Sequence, residues 1–138
     1  MPWIQNISLD AIRKGQHISV GPNSMLIQIV DPCTEFPTPK YLFKEVRQYE
    51  FLDVEEKDTI GIEFAITQDQ ADNLVSDLQR AFDNKMNVVV HCHAGICRSG
   101  AIAEVGVMMG FQDTGTFRNP NLMVKHKMMK KLGWTYDV

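Results

Sequence analysis

The chain has 138 residues, of which 44% are hydrophobic, and its formal net charge at pH 7 is −3. This length suffices for one hydrophobic core that folds without disulfides or structural metals, so we predict a single domain over residues 1–138. Three cysteines, an odd number, indicate no disulfide framework and favour a reducing, cytoplasmic location. We find no signal-peptide pattern, no apolar run near the ~20 residues of a membrane span, and no excess of positive charge for general nucleic-acid binding.

The N-terminal part of the chain carries local signals for two strands and a short helix. Ser8 is predicted to cap a one-turn helix over Leu9–Lys14, which follows a short strand and ends at Gly15. Met25–Val30 is predicted to be a buried strand, and the proline-containing segment 31–40 a loop.

The middle of the chain continues the alternation of strand and helix. Arg47–Val54 is predicted to be a strand, followed by a long acidic loop over residues 55–65. Thr67 and Gln70 form a capping-box pattern for an amphipathic helix that ends near Asp83. The buried side chains of the strand are expected to be Phe51, Leu52 and Val54.

The C-terminal part supplies a central strand and two further helices. Met86–Val90 is apolar without interruption, which is typical of a parallel strand buried on both faces. Ser99–Gly110 is predicted to be a buried helix, and residues 119–121 to open the last helix, with Pro120 in its first turn. This order predicts an α/β fold, with a mostly parallel central sheet flanked by helices and a ligand site at the carboxyl ends of the strands.

The most informative stretch is VVVHCHAGICRSG over residues 88–100. A strand leads into Cys92, Arg98 follows six positions later, and Ser99-Gly100 opens an apolar helix. The loop N–H groups and the positive end of the helix dipole would together form an anion site. The guanidinium of Arg98 can bind two oxygens of a phosphate. The same positive surroundings favour a thiolate at Cys92, which would be a nucleophile beneath a bound phosphate.

Two other interpretations explain this stretch less well. A structural cysteine in a strand-to-helix turn would not account for Arg98 or Gly95. A zinc site would draw on neighbouring strand residues that point to opposite faces, and no second ligand pair follows at zinc-finger spacing. Its ligands would be His91, Cys92, His93 and Cys97.

The pattern His91-Cys92-x5-Arg98-Ser99-Gly100 closely resembles the signature of the cysteine-dependent protein tyrosine and dual-specificity phosphatases. Residues 118–121, Arg-Asn-Pro-Asn, resemble the segment before the last helix of many dual-specificity phosphatases. The resemblance covers roughly the last two thirds of the chain and leaves the first 40 residues without a motif. It implies a dual-specificity-phosphatase-like fold and hydrolysis of phosphate monoesters without a metal or cofactor.

The resemblance also implies roles for individual residues. Cys92 would attack phosphorus to give a cysteinyl-phosphate, which water then hydrolyses. Ser99 would hydrogen-bond the sulfur and ease its departure, or only cap the helix, and His91 would orient the loop, or only pack. The Arg98 side chain and the backbone amides of the loop would bind the phosphate oxygens. These amides are those of His93, Ala94, Gly95, Ile96, Cys97 and Arg98.

The general acid of the family lies on the loop after the preceding strand. Counted from Val54, the last apolar residue of the predicted strand, Asp58 is the first candidate. Asp53 is the second, because Phe51-Leu52-Asp53-Val54 resembles a Phe-x-Asp-hydrophobic stretch in a bacterial subgroup. The sequence has no Trp-Pro-Asp triplet and so departs from the tyrosine-specific pattern.

Cys97 carries a separate hypothesis. Its spacing to Cys92, directly before Arg-Ser, resembles that in low-molecular-weight tyrosine phosphatases. The resemblance implies that Cys97 could trap an oxidised Cys92 as a disulfide, and the alternative is that Cys97 is only a small loop residue.

Several substrates remain open for such a loop. RNA 5′-triphosphatases, phosphoinositide phosphatases and arsenate reductases share it, although the sequence lacks a strongly basic loop beside Gly95 for polyanionic lipids. An inactive phosphate- or phosphopeptide-binding module is the alternative from another class, which the presence of Cys92, Arg98 and candidate acids disfavours. The expected partner is a phosphorylated protein or peptide, and no membrane partner is expected. Nucleic acid is not expected as a partner, with an RNA 5′ end kept as the alternative.

Overall fold

The computed structural model describes residues 1–134. In chain order the elements of this part are β1 Trp3–Ser8, α1 Leu9–Lys14, β2 Ser24–Val30, β3 Glu45–Glu50, a 3-10 helix Ile62–Phe64, α2 Gln68–Asp83, β4 Asn87–Cys92, α3 Arg98–Met109, β5 Gln112–Asp113 and α4 Leu122–Lys131.

The strands form one sheet in the order β3-β2-β4-β1-β5, and neighbouring strands pair in parallel throughout. The predicted α/β fold with a parallel sheet is therefore confirmed. Strands β2 and β4 lie at the centre, and every residue of β2 is buried. Their apolar character follows from this position, because a parallel strand in the middle of a sheet is covered on both faces.

The two faces of the sheet carry different cores. Alternate residues of β2 point to opposite faces, so Met25 and Ile27 join the larger core under α2, α3 and α4. Leu26 between them joins a smaller core with Ile12 of α1 and Val89 of β4. Helices cover both faces, which leaves the carboxyl ends of the strands open at one edge.

Local helix signals were predicted correctly. The Ser8 hydroxyl accepts the Ala11 N–H at 3.0 Å, and α1 ends at Gly15 with φ of 70°. The capping box of α2 is complete, because the Thr67 hydroxyl accepts the Gln70 N–H and the Gln70 side chain accepts the Thr67 N–H. These pairs lie within a few residues of each other, so sequence spacing alone decides them.

The predicted strand Arg47–Val54 is wrong at both ends, because β3 spans Glu45–Glu50. The Phe51 N–H still donates to Val30 O at 3.1 Å, but the Leu52 N–H turns away to Phe64 O at 2.9 Å. The chain thus leaves the sheet after Phe51. Phe51 is buried as expected, whereas Leu52 and Val54 are only half-buried.

The segment before the last helix also differs from its prediction. Pro120 precedes the N-cap residue and does not lie in the first turn, because Asn121 caps α4 through its side-chain oxygen and the Val124 N–H at 3.0 Å. The short strand β5 pairs with β1 at the edge of the sheet. No helix among residues 1–134 is long and apolar enough to span a membrane.

Candidate active site

The loop between β4 and α3 follows a path that only glycine permits at its centre. Gly95 has φ of +77°, and a Cβ there would lie 2.3 Å from the carbonyl carbon of Ile7. A side chain would be strained by this conformation and would also overlap the backbone of β1. Gly95 therefore lets the loop pack directly against its neighbouring strand.

Strand β1 and helix α1 hold this loop from one side. The side-chain amide of Asn6 donates to Gly95 O at 2.8 Å and to Phe117 O at 3.0 Å. The Leu9 N–H at the start of α1 donates to His93 O at 3.1 Å. Asn6 is only 1% exposed, so these bonds satisfy a buried amide. Sequence reasoning missed Asn6, whose partners lie far along the chain.

The segment before α4 holds the loop from the other side. The Asn119 N–H donates to Ile96 O at 3.1 Å, and the Asn121 N–H donates to Cys97 O at 3.0 Å. The carbonyl groups of the loop are thus bonded to the scaffold. Because these carbonyl groups already have partners, they do not compete with a ligand in the pocket for the backbone N–H groups of the loop.

Cys92 lies at the floor of the loop and is 2% exposed. Its Sγ accepts the Gly95 N–H at 3.3 Å and lies 3.2 Å from the hydroxyl oxygen of Ser99. Ser99 is fully buried in the first turn of α3. The sulfur thus lies beside two polar groups at the N-terminal end of α3.

Arg98 lies beside this sulfur with its side chain 5% exposed. Its Nη1 donates to the carboxylate of Asp31 at 2.7 Å and to Phe51 O at 2.8 Å. Its Nε is buried without a hydrogen-bond partner. A buried, unpaired N–H of a cation calls for an anion, and the guanidinium has the shape to bind one.

A pocket of about 320 Å³ opens above Cys92. Of the residues predicted to bind phosphate, Gly95 and Ile96 bond to the scaffold through their carbonyls, while the other four line the pocket. The lining consists of Asp31, Leu52, Asp53, Val54, Cys92, His93, Ala94, Cys97 and Arg98.

The two candidate acids occupy different places. Asp53 is exposed and lines the pocket, and its Oδ1 accepts the side-chain amide of Asn121 at 2.8 Å. Asp58 instead closes a turn, with Oδ2 accepting the Glu55 N–H at 2.7 Å and its own N–H donating to Glu55 O at 3.0 Å. Asp58 is not among the described residues that line the pocket.

His91 lies directly behind the loop and is fully buried. Burial, together with a smaller contribution from the charge of Arg98, lowers its pKa to about 4, so the ring is neutral at pH 7. Its Nδ1 lies 3.4 Å from Cys92 O, close enough for a long hydrogen bond to the loop backbone. A neutral donor in this position suits orientation of the loop.

Cys97 lines the same pocket as Cys92. Burial raises the pKa of the Cys97 thiol, and the nearby Asp53 carboxylate raises it further. The proposed disulfide with Cys92 remains a hypothesis. After mild peroxide treatment, mass spectrometry should find the Cys92–Cys97 disulfide, and an over-oxidised Cys92 without it would reject the idea.

The zinc interpretation finds no support in the arrangement of side chains. Within residues 1–134, no three His, Cys, Asp or Glu side chains are grouped as a metal ion would require. His91 in β4 is buried, whereas His93 in the loop after the strand is exposed.

Solved structures of other proteins share this architecture. The chain is similar to the human tyrosine phosphatase-like serine/threonine/tyrosine-interacting protein, with a TM-score of 0.63, 16% identity, and coverage of 96% of this chain and 93% of the other. It is similar to human DUSP28, with a TM-score of 0.55, 14% identity, and coverage of 95% and 80%. The chain has the α/β fold of the dual-specificity and tyrosine phosphatases.

A third similar structure is OH1 from the Orf virus, a tyrosine phosphatase described as having triple substrate specificity. Its TM-score is 0.50 and its identity 21%, with coverage of 79% of this chain and 57% of OH1. No protein-family model and no curated protein matches the sequence. The first two likenesses cover nearly the whole chain, so the phosphatase fold includes the first 40 residues, where the sequence carries no motif.

Proposed function

We propose that this protein is a phosphate monoester hydrolase that acts on phosphorylated proteins or peptides. The observation that carries the proposal is one pocket holding Cys92 Sγ, the unpaired Nε of Arg98 and the Asp53 carboxyl group. A nucleophile, an anion-binding cation and a proton donor are the three groups that the reaction needs.

In the first step, the Cys92 thiolate attacks phosphorus, and the bond from phosphorus to the ester oxygen breaks. Asp53 gives its proton to the leaving oxygen, so the alcohol or phenol departs neutral. Arg98 and the loop N–H groups bind the remaining phosphate oxygens, where negative charge is held in the transition state.

In the second step, a water molecule attacks the cysteinyl-phosphate while the Asp53 carboxylate takes its proton. The bond between sulfur and phosphorus breaks, and inorganic phosphate leaves. The Ser99 hydroxyl, 3.2 Å from Sγ, stabilises the thiolate as it departs. His91 keeps its proposed role in orienting the loop.

The charges of the pocket favour a substrate with one phosphate group. Of the described residues that line it, Arg98 is the only arginine or lysine, and Asp31 adds a carboxylate that already bonds to it. A 5′-triphosphate or a polyphosphorylated lipid would bring further negative charge towards this carboxylate without a second arginine or lysine to meet it. A monophosphorylated peptide carries no such penalty.

The test is hydrolysis of p-nitrophenyl phosphate by the wild type, Cys92→Ser and Cys33→Ser. Cys33 is exposed and lies outside the pocket, so it is the matched control. We expect turnover that survives EDTA, is inhibited by vanadate, is lost in Cys92→Ser and is kept in Cys33→Ser. Vanadate binding without turnover would instead indicate a binding module, and activity in Cys92→Ser would overturn the proposal.

Peptides carrying phosphotyrosine or phosphoserine, and an RNA 5′-triphosphate, then rank the substrates. We expect the highest kcat/KM for a phosphopeptide. A higher value for the RNA end would reject the peptide assignment while leaving the cysteine chemistry intact.

A further inference from the structure

The carboxylate of Asp31 lines the pocket and bonds to Arg98, in a contact that the loop signature does not contain. The distance from Nη1 to Oδ1 is 2.7 Å, and the same Nη1 donates to Phe51 O at 2.8 Å. An Nη atom has two protons, so both are used by the protein. We infer that Asp31 is a positioning residue that fixes the guanidinium of Arg98 for phosphate binding.

The contacts on Nη1 determine which edge of the guanidinium is left for a ligand. With Nη1 occupied, the remaining parallel pair of N–H bonds comes from Nε and Nη2. The Nε of Arg98 is buried and has no partner. Two parallel N–H groups match two oxygens of a phosphate, so the bound orientation exists before the substrate arrives.

The sheet explains why Asp31 reaches this place. Asp31 directly follows β2 and Phe51 directly follows β3, and these neighbouring strands end in register at Val30 and Glu50. Cys92 ends β4 on the other side of β2. Three adjacent strands thus supply a carboxylate, a carbonyl and the nucleophile. Of the two groups that bond to Arg98, only the Asp31 carboxylate can be removed by substitution, because the other is a backbone carbonyl.

Two accounts of Asp31 predict opposite effects of its removal on the binding of phosphate-like anions. If it positions Arg98, its removal loosens the guanidinium and weakens the binding of phosphate-like anions. If its negative charge merely competes with the ligand, its removal strengthens their binding. The Asp31 side chain is 54% exposed and the Arg98 side chain 5%, so solvent screens the charge of Asp31 more than that of Arg98.

The inference rests on the proposed function, and its experiment separates the two. We would measure kcat, KM and vanadate inhibition for Asp31→Asn, Asp31→Ala and the exposed control Glu35→Gln on the same loop. We expect kcat/KM to fall by roughly ten- to a hundred-fold in Asp31→Ala, with weaker vanadate binding and a smaller loss in Asp31→Asn. Glu35→Gln should match the wild type.

A second background shows whether the effect passes through Arg98. In Arg98→Lys, which cannot offer a two-pronged edge, Asp31→Ala should change vanadate binding by less than about threefold. Equal losses in both backgrounds, or tighter vanadate binding in Asp31→Ala, would overturn the inference. An inactive wild type that still binds vanadate would remove the proposed function but leave the binding comparison readable.

Discussion

The two loops that meet above Cys92 are built differently. The phosphate loop, residues 92–98, is bonded to β1, to α1 and to the segment before α4, and its Cys92, Gly95 and Arg98 are buried. The acid loop, residues 52–65, is largely exposed and bonds to the rest of the site through Asn121 and the start of α4. Changes in the first should harm both folding and catalysis, whereas changes in the second should harm catalysis first.

The largest effect should come from Gly95→Ala in the phosphate loop. Its Cβ would lie 2.3 Å from the backbone of β1, in addition to the left-handed φ of +77°. Gly115 has the same φ with nothing within 4 Å of its Cβ, so Gly115→Ala isolates the conformational cost. Urea unfolding should show a loss of about 1 kcal/mol for Gly115→Ala and at least about 3 kcal/mol for Gly95→Ala. Equal losses would contradict the close approach of loop and strand.

The next effect should come from Asp53→Asn in the acid loop. Losing a general acid slows departure of a poor leaving group by about 100-fold or more, with little change in stability. Kinetics on phenyl phosphate should show this loss, and an ester with a very acidic leaving group should be affected much less. Asp58→Asn is the matched control, and it should stay within about threefold of the wild type because Asn can still accept the Glu55 N–H. The reverse ranking of the two variants would restore Asp58 as the acid.

A smaller effect should follow Asn121→Ala, because Asn121 joins the two loops. Its side-chain amide bonds Asp53 Oδ1 at 2.8 Å and Val54 O at 3.0 Å, and its oxygen caps α4. Losing the cap should cost about 1 kcal/mol, and losing the bond to Asp53 should lower kcat on phenyl phosphate by roughly tenfold. Asn121→Asp keeps the cap oxygen, so it should recover stability but not kcat. Recovery of kcat in that variant would argue against the link to Asp53.

A further effect, confined to pH values below about 6.5, concerns the pH dependence of stability. Folded His91 has its pKa lowered to about 4, against an ordinary 6.5, so the unfolded chain binds more protons between these values. The free energy of unfolding should therefore fall as pH drops from 6.5 towards 4, by on the order of 3 kcal/mol from this residue. His91→Asn should remove that part of the slope in urea titrations. Identical slopes for the two proteins would contradict the buried neutral ring.

The same contrast explains what the sequence could predict. The phosphate loop, α1 and the capping box depend on residues a few positions apart, so spacing reveals them. Asn6, Asp31 and Asn121 bond across 67 residues or more, and no local pattern marks such pairs.

The ranking of the two candidate acids depended on one strand boundary. Phe51, Leu52 and Val54 suggested a strand that continues to Val54, but β3 ends at Glu50, and Phe51 makes the last backbone bond to β2 before the chain leaves the sheet. Counted from the end of β3, Asp53 is the nearer of the two candidates. The boundary depends on a bond between Leu52 and Phe64 that periodicity does not encode.

The measurement that tests the central claim most directly is capture of the cysteinyl-phosphate. Ser99→Ala should slow departure of the thiolate, so an acid quench during turnover of an aryl phosphate should trap the intermediate. Mass spectrometry should then find one phosphoryl group on the peptide containing Cys92 and none in a Cys92→Ser control. Phosphate release with an unmodified Cys92 peptide, or a phosphoryl group on another residue, would contradict Cys92 as the nucleophile.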